Sequence, residues 1–325
     1  MPYKFTIVIP VFNREAEVSR AIESCLGQHS TSYEIILVDD ASQDGSVAAI
    51  QPYTHLPNVL LVSLAVNEGE WGARAAGVAR ATGEWIIFLD SDDELVPNAL
   101  SIIAEAIEQH GDAQFRLGFS YRHDDGTRSP YPITDTPLFL AFTTYIRWQA
   151  DAVRTDALWV TRARTFKQVP IPKGRRVHSL YHFTFNATFG TLLLPAIVGI
   201  VHTDATNTLT LARGASTTYV QRLASDQASE ADHLLAQFGS EIQQASAAIH
   251  RKLSRSRIVS RFVLGQHAKA LRCWIDHIRF HRDPASLCLP ILSVLGTSTI
   301  SKIRLRRQRA TATRASALSS MKGRA

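Results

Sequence analysis

Short apolar runs and amphipathic stretches take turns along the first hundred residues. FTIVIPV at 5–11 is β-branched and continuously apolar, which predicts a strand buried on both faces. REAEVSRAIESCLGQ at 14–28 places Val18, Ile22, Cys25 and Leu26 at helical spacing. YEIILVDD (33–40) predicts a second strand running into two acids, and Ser42 in the following DASQDGS is expected to cap a second helix. NVLLVSL (58–64), EWGARAAGVARA (70–81) and EWIIFLD (84–90) continue the alternation as strand, helix and strand. The pattern predicts an α/β fold with a mainly parallel central sheet and helices on both faces.

Beyond a further helix at 97–111 the pattern loosens. QFRLGFSYRH (114–123), ALWVTRARTF (157–166) and AIVGIVHTD (196–204) are strand candidates, and DDGTRSPYP (124–132) reads as turn and loop. From about Gly214 the chain turns helical and rich in Ala and Arg. The expected boundary therefore lies near Arg213, with one domain over 1–213 and a basic helical region over 214–325. SLCLPILSVLGTSTI (286–300) is the most apolar part of that region, but it is too short and too interrupted to span a bilayer, which needs about 20 apolar residues. Residues 310–325 are small, polar and basic, a composition expected to stay disordered.

Composition adds an asymmetry. The chain is 45% apolar and 20% charged, enough for a sizeable core. The net charge of +6 hides 17 Lys/Arg against 2 acids from Arg251 onward, leaving 18 basic and 27 acidic residues before it. Such a tail attracts nucleic acid, anionic lipid or an acidic partner, and charge alone does not choose among them. Three widely separated cysteines (Cys25, Cys273, Cys288) argue against a disulfide framework and suit a reducing compartment. MPYKFTIVIPVF lacks the cleavage site of a signal peptide, so a cytoplasmic location is expected.

The chemistry gathers at strand ends. In open α/β sheets ligands bind beyond the carboxyl ends of the strands. There the chain places Pro10–Asn13, Asp39–Asp40 and the stretch FLDSDDEL (88–95). In an extended chain Asp90 and Asp92 point the same way. Such a pair suits Mg²⁺ or Mn²⁺, a hard cation held by one or two carboxylates, waters and substrate phosphates. A solvated acidic turn leading into the helix near Pro97 is the plainer reading of the same residues.

Taken together, TIVIPVFNRE, YEIILVDDASQDGS, NEGEWGARAAG and ATGEWIIFLDSDD resemble the inverting family 2 glycosyltransferases of the GT-A fold in both order and spacing. The resemblance covers residues 4–110 and fades by about 210. It implies a nucleotide-sugar donor (a UDP- or GDP-sugar), a hydroxyl acceptor on a glycan or lipid-linked intermediate, and a divalent metal. Pro10, Phe12 and Asn13 match positions lining the nucleotide base pocket, and Asp39, with Asp40 beside it, matches the carboxylate that accepts a base N–H. Arg74 matches an arginine near the diphosphate, where a guanidinium binds phosphate oxygens well. Gly69 allows close backbone approach. Asp92 would hold the metal and Asp90 the metal or ribose, while Asp93 and Glu94 lead into the next helix. His202, in the later strand, is a candidate third contact to metal or diphosphate.

One expected part is missing. The resemblance implies a Glu-Asp pair some 80–100 residues after the acidic stretch, as the base that deprotonates the acceptor. PKGRRVHSLYHFTFNATFG (172–190) has no acid. His178 and His182, four apart on one predicted helix, are the nearest candidate bases, with contact to acceptor or core as the alternative. Asp151 and Asp156 are other acids within reach. The gap also admits a catalytically silent, nucleotide-sugar-binding scaffold. A nucleotidyltransferase is disfavoured because TIVIPVFNRE contains no glycine for a phosphate loop. Nucleic acid is not an expected partner, since aromatics are sparse in the basic region. Its apolar and basic content suits peripheral contact with anionic lipid at the inner face of the membrane.

Overall fold

The computed structural model describes residues 4–29, 32–110, 115–130, 135–172, 177–202 and 217–282, with 286, 287 and 289. The chain divides into two compact units, 1–207 and 208–325. That division and the expected one after Arg213 both fall in a stretch outside the described residues.

In the first unit the elements run β1 (Phe5–Val11), α1 (Val18–Leu26), β2 (Tyr33–Asp39), α2 (Ser46–Ile50), β3 (Val59–Ser63), α3 (Glu70–Arg80), β4 (Trp85–Phe88), β5 (Glu94–Leu95) and α4 (Ala99–His110). After these come β6 (Arg116–His123), β7 (Arg128–Ser129), β8 (Leu138–Leu140), α5 (Phe142–Asp151), β9 (Leu158–Arg162), α6 (His178–Thr188) and β10 (Thr191–Val201). The sheet order is β3-β2-β1-β4-β9-β6-β10-β5, with β7 against β6 and β8 against β10. The first four strands are mutually parallel. β9 is antiparallel to both β4 and β6, and β10 is parallel to β6. The carboxyl ends of β1, β2, β4, β6 and β10 and the amino end of β9 therefore share one rim.

Continuous apolarity produces a sheet with two dry faces. Alternate residues of β1 enter different cores: Phe5, Ile7, Ile9 and Val11 pack with Ile22, Cys25 and Ile103, whereas Val8 packs with Trp71, Ile86 and Tyr181. α1 and α4 thus cover one face, and α3 and α6 the other. α3 lies so close to β1 that a Cβ at Gly77 would sit 2.4 Å from Val8 Cγ1. The order of connection switches from one side of β1 to the other between β2–β3 and β4, and in open α/β sheets ligands bind in the crevice beyond the carboxyl ends at such a switch point.

Two local expectations are corrected. Ser42 does not cap α2. Asp44 Oδ1 accepts from Ser46 N (3.0 Å) at the start of that helix, and Ser42 Oγ instead accepts from Asn13 N (3.0 Å). The late strand β10 begins five residues before the stretch read as apolar, and irregular pairing around Ile197 carries it past Pro195.

The second unit comprises α7 (Thr217–Ala245), α8 (Ala247–Val263) and α9 (His267–His281). Val220, Ala224, Ile258, Phe262, Ala270 and Cys273 form its core. Asp232 pairs with Arg257 and Arg261, and buried His277 lies between the hydroxyls of Ser254 and Ser286. Among the described residues no helix is long and apolar enough to cross a membrane. Most of 286–300 and all of 310–325 lie outside the described residues.

The α3–β1 contact yields a test. Gly77→Ala gains about 1 kcal/mol of helix propensity but must displace a stiff β-branched Val8, at about 1–3 kcal/mol. Denaturant unfolding is expected to show a net loss of about 1 kcal/mol, with m unchanged.

Candidate active site

The acidic stretch is a turn rather than an extended continuation of β4. Asp93 N donates to Asp90 O (3.1 Å), which reverses the chain at Ser91–Asp92 and displays Asp90 and Asp92 at the cleft. Their side chains are 48% and 21% exposed. Arg74, in the first turns of α3, is buried and reaches Glu70 Oε1 at 2.8 Å and Asp90 Oδ1 at 2.6 Å. Burial alone would lower its pKa, but Glu70 and Asp90 more than offset this, and the guanidinium is held above its ordinary value. Arg14 Nη2 lies 3.5 Å from Asp92 Oδ2, and Arg20 Nη2 donates to Asp92 O (3.0 Å). Burial and then the charge of Asp90 raise the pKa of Asp92, with Arg14 opposing.

Asp93 does more than lead into a helix. It is buried, and burial followed by Asp90, Asp92 and Asp156 pushes its carboxyl up to about 9. It is therefore a neutral acid at pH 7, accepting a hydrogen bond from the His202 backbone amide. Asp156 joins the rim because β9 runs antiparallel between β4 and β6, so the residues before Leu158 fall beside the ends of both strands. Its carboxylate opens to solvent but is crowded by the rim. Desolvation there, and then the charge of Asp90, raise its pKa, with Arg154 opposing. Asp151, the other acid considered, ends α5.

The loops after β1 and β2 are laced together. Asn13 adopts a left-handed φ of 52°, and its Oδ1 accepts from Gln43 N (2.8 Å). Pro10 is buried within β1, whereas Phe12 beyond it is 41% exposed, an open ring rather than a core one. Buried Asp39 accepts from Ser42 N through Oδ1 (3.2 Å). Asp40 works as a clamp, accepting from Glu68 N (2.6 Å), Gly69 N (2.8 Å) and Asn67 Nδ2 (2.8 Å). This fixes the turn that starts α3, where Gly69 has φ 84° and so needs to be glycine. Through that turn Asp40 sets the position of Arg74.

The histidines separate. His178, the first residue of α6, is exposed and lies edge-on to Trp71 with ring centroids 5.6 Å apart. His182 is on the same helix face but sealed in the core, in contact with Arg116 and packed against Trp71 and Trp159. Burial and then Arg116 drive its pKa well below the ordinary value, so it is a neutral structural imidazole and not an exposed base. The ring of His202 is already engaged by other acids. Its Nε2 lies 2.8 Å from Glu94 Oε1 and its Nδ1 3.1 Å from Asp124 Oδ1. These acids occupy both ring nitrogens that a metal would use. Arg14 carried no signal in sequence: it meets Asp92 because β1 and β4 are neighbours in the sheet, which no local pattern reports.

The profile of Glycosyl transferase family 2 matches residues 6–169, half of the chain. The chain belongs to glycosyl transferase family 2. A succinoglycan biosynthesis protein, ExoO of Rhizobium meliloti, is 39% identical over 106 residues, 33% of this chain and 30% of that protein. The poly(ribitol-phosphate) β-N-acetylglucosaminyltransferase TarS of Staphylococcus aureus is 30% identical over 110 residues, 33% of this chain and 19% of that one. The matched region spans about a third of the length of the first curated relatives. A crystal structure of S. aureus TarS 1–349 is similar with TM-score 0.60 and 16% identity, over 93% of this chain and 91% of that one. TarS 1–349 in complex with UDP-GlcNAc gives 0.58 at 16% identity, over 94% and 92%. At such identities the likeness establishes the fold, which is the expected GT-A architecture with C-terminal helices.

The neutral Asp93 supplies a test in metal-free protein. An acid at 3.8 when unfolded and about 9 when folded leaves the folded state holding the proton, so stability is lost as pH rises between those values. Asp93→Asn is expected to melt progressively higher than wild type from pH 5 to pH 9. A constant difference across that range would contradict the neutral assignment.

Proposed function

We propose that this family 2 chain transfers a sugar from a nucleotide-diphosphate sugar to a hydroxyl acceptor with inversion, with Mg²⁺ or Mn²⁺ at Asp90 and Asp92. The observation that carries this reading is the convergence of the Asp90–Asp92 turn and buried Arg74 on the cleft between β1 and β4. The donor set suits the metal. Two partly exposed carboxylates of like charge favour a cation between them. A hard ion bound by one or two carboxylates is completed by water and substrate phosphate. Such an ion, when bound, neutralises charge developing on the leaving diphosphate.

The chain's own residues supply the rest. Phe12 offers an open face on which a base can stack, and Asp39 Oδ2 accepts a uracil or guanine N–H. Asp90 reaches the ribose or the metal, and Arg74 binds the diphosphate. His178, open to solvent at the start of α6, takes the proton of the acceptor hydroxyl in place of the absent Glu-Asp pair. The printed names of the relatives, a succinoglycan biosynthesis protein and poly(ribitol-phosphate) glycosyltransferases, support a glycan or lipid-linked polymer as acceptor. The basic residues from Arg251 onward favour peripheral contact with anionic lipid at the cytoplasmic face.

Release of nucleotide from UDP- and GDP-sugars, with Mn²⁺ and a panel of glycan acceptors, tests the reading. Asp92→Asn is expected to remove metal-dependent release by about 100-fold or more while the fold is kept. His178→Ala is expected to lower turnover about 100-fold and to abolish the acidic limb of its pH profile. Wild-type turnover in either variant removes the corresponding role. Donor binding without turnover across the acceptor panel would favour a silent binding protein.

A further inference from the structure

Of Asp90, Asp92, Asp93 and Asp156, the first three are already answered. Arg74 holds Asp90 at 2.6 Å, Arg14 faces Asp92 at 3.5 Å, and Asp93 keeps its proton. Asp156 differs. It is exposed, and among the described residues no other side chain hydrogen-bonds or ion-pairs with it. Arg154, the cation that acts on it, is engaged elsewhere: its Nη1 donates to Thr127 Oγ1 (2.7 Å) and its Nη2 to Asp125 Oδ2 (3.4 Å). Sheet order sets where this carboxylate stands. Along the rim the ends of β2 and β1 carry Asp39 and Phe12, β4 carries the acidic turn, and β9 comes next. Asp156 lies two residues before Leu158, where β9 pairs with β6, and Val160 of the same strand pairs with Ile87 of β4. Neighbouring strands are about 4.8 Å apart, so Asp156 stands about one strand spacing beyond the acidic turn, on the side away from Phe12 and Asp39.

We propose that Asp156 accepts hydrogen bonds from hydroxyls of the transferred sugar and so selects the donor sugar. The assignment rests on the donor reading above. A nucleotide-diphosphate sugar has its base, ribose, diphosphate and sugar joined in that order. With the base at the loops after β1 and β2 and the diphosphate at Arg74 and the acidic turn, the sugar extends onto the end of β9. A carboxylate accepts and does not donate, which matches sugar hydroxyls, and Asp156 gives up no internal partner to bind them. Its charge also excludes. The charge of Asp90 already acts on Asp156, and a sugar acid would bring a further carboxylate between them. A neutral hexose is therefore favoured over a uronate.

The test compares the full chain with Asp156→Asn, which removes a repelled charge at nearly constant volume and so keeps the fold. Calorimetry with Mn²⁺ reads the affinity for UDP and GDP without a sugar, and nucleotide release reads kcat and KM for UDP-glucose, UDP-galactose, UDP-N-acetylglucosamine, UDP-glucuronate and GDP-mannose. The affinity for bare nucleotide is expected to stay within about twofold of wild type, since Asp156 touches only the sugar. For the neutral sugar that wild type prefers, kcat/KM should fall about 10- to 100-fold, the scale of a hydrogen bond to a charged group. The ratio of UDP-glucuronate to that sugar should rise about tenfold or more as the like charge is removed. An unchanged ranking of sugars, or an equal loss for bare nucleotide and nucleotide-sugar, overturns the proposal. So does a fall in kcat of about 100-fold or more with KM and ranking unchanged, which is the signature of a proton-accepting base instead. If wild type binds neither nucleotide with Mn²⁺, the donor reading fails and this inference falls with it. If wild type binds and turns over a donor while Asp156→Asn keeps its ranking, the donor reading stands and the role of Asp156 does not.

Discussion

Mutual repulsion among the carboxylates at the carboxyl end of β4 is the constraint around which this rim is arranged. Burial first, and then the charge of Asp90, raise the pKa of Asp92, Asp93 and Asp156, the mark of like charges crowded into one half-buried rim. Three devices offset this. Arg74 pairs with Asp90, Arg14 stands opposite Asp92, and Asp93 holds its proton. Asp90 and Asp92 keep part of their side chains open to solvent, whereas Asp93 beneath them is neutral.

These devices depend on loops fixed from a distance. Asp40, at the end of β2, accepts three hydrogen bonds from 67–69 and so sets the first turn of α3, which carries Arg74. On the opposite edge of the sheet, Glu34 Oε1 accepts from Thr6 Oγ1 (2.6 Å), Thr82 N (2.6 Å) and Thr82 Oγ1 (2.8 Å), tying the end of α3 to β1 and β2. α3 is pinned at both ends by carboxylates that act as hydrogen-bond acceptors, while Gly77 lets its middle touch the sheet.

Local pattern made much of the fold legible. The runs at 5–11, 33–40, 58–64 and 84–90 became strands because continuous β-branched apolarity suits a strand covered on both faces, and β1 matches its predicted bounds. EWGARAAGVARA became α3. Less was legible where neighbours decided the outcome. His178 and His182 have the same chemistry and share a helix face, yet one is open and the other is sealed under Arg116. Helical spacing gives a shared face but says nothing about how deep each turn lies. His202 read as a candidate ligand because it follows a late strand, but it is taken up by Glu94 and Asp124, which come from separate parts of the chain.

The sequence by itself determined the alternation of strands and helices, the positions of the acidic turn and Arg74, and the family, because each depends on residues near one another in the chain. Only the tertiary structure decided which charges face which. The antiparallel insertion of β9 brought Asp156 to the rim, the fixed loop after β1 set Arg14 against Asp92, and burial turned Asp93 from a carboxylate into an acid. Electrostatic roles depend on distance and solvent access through space, and no spacing along the chain encodes either.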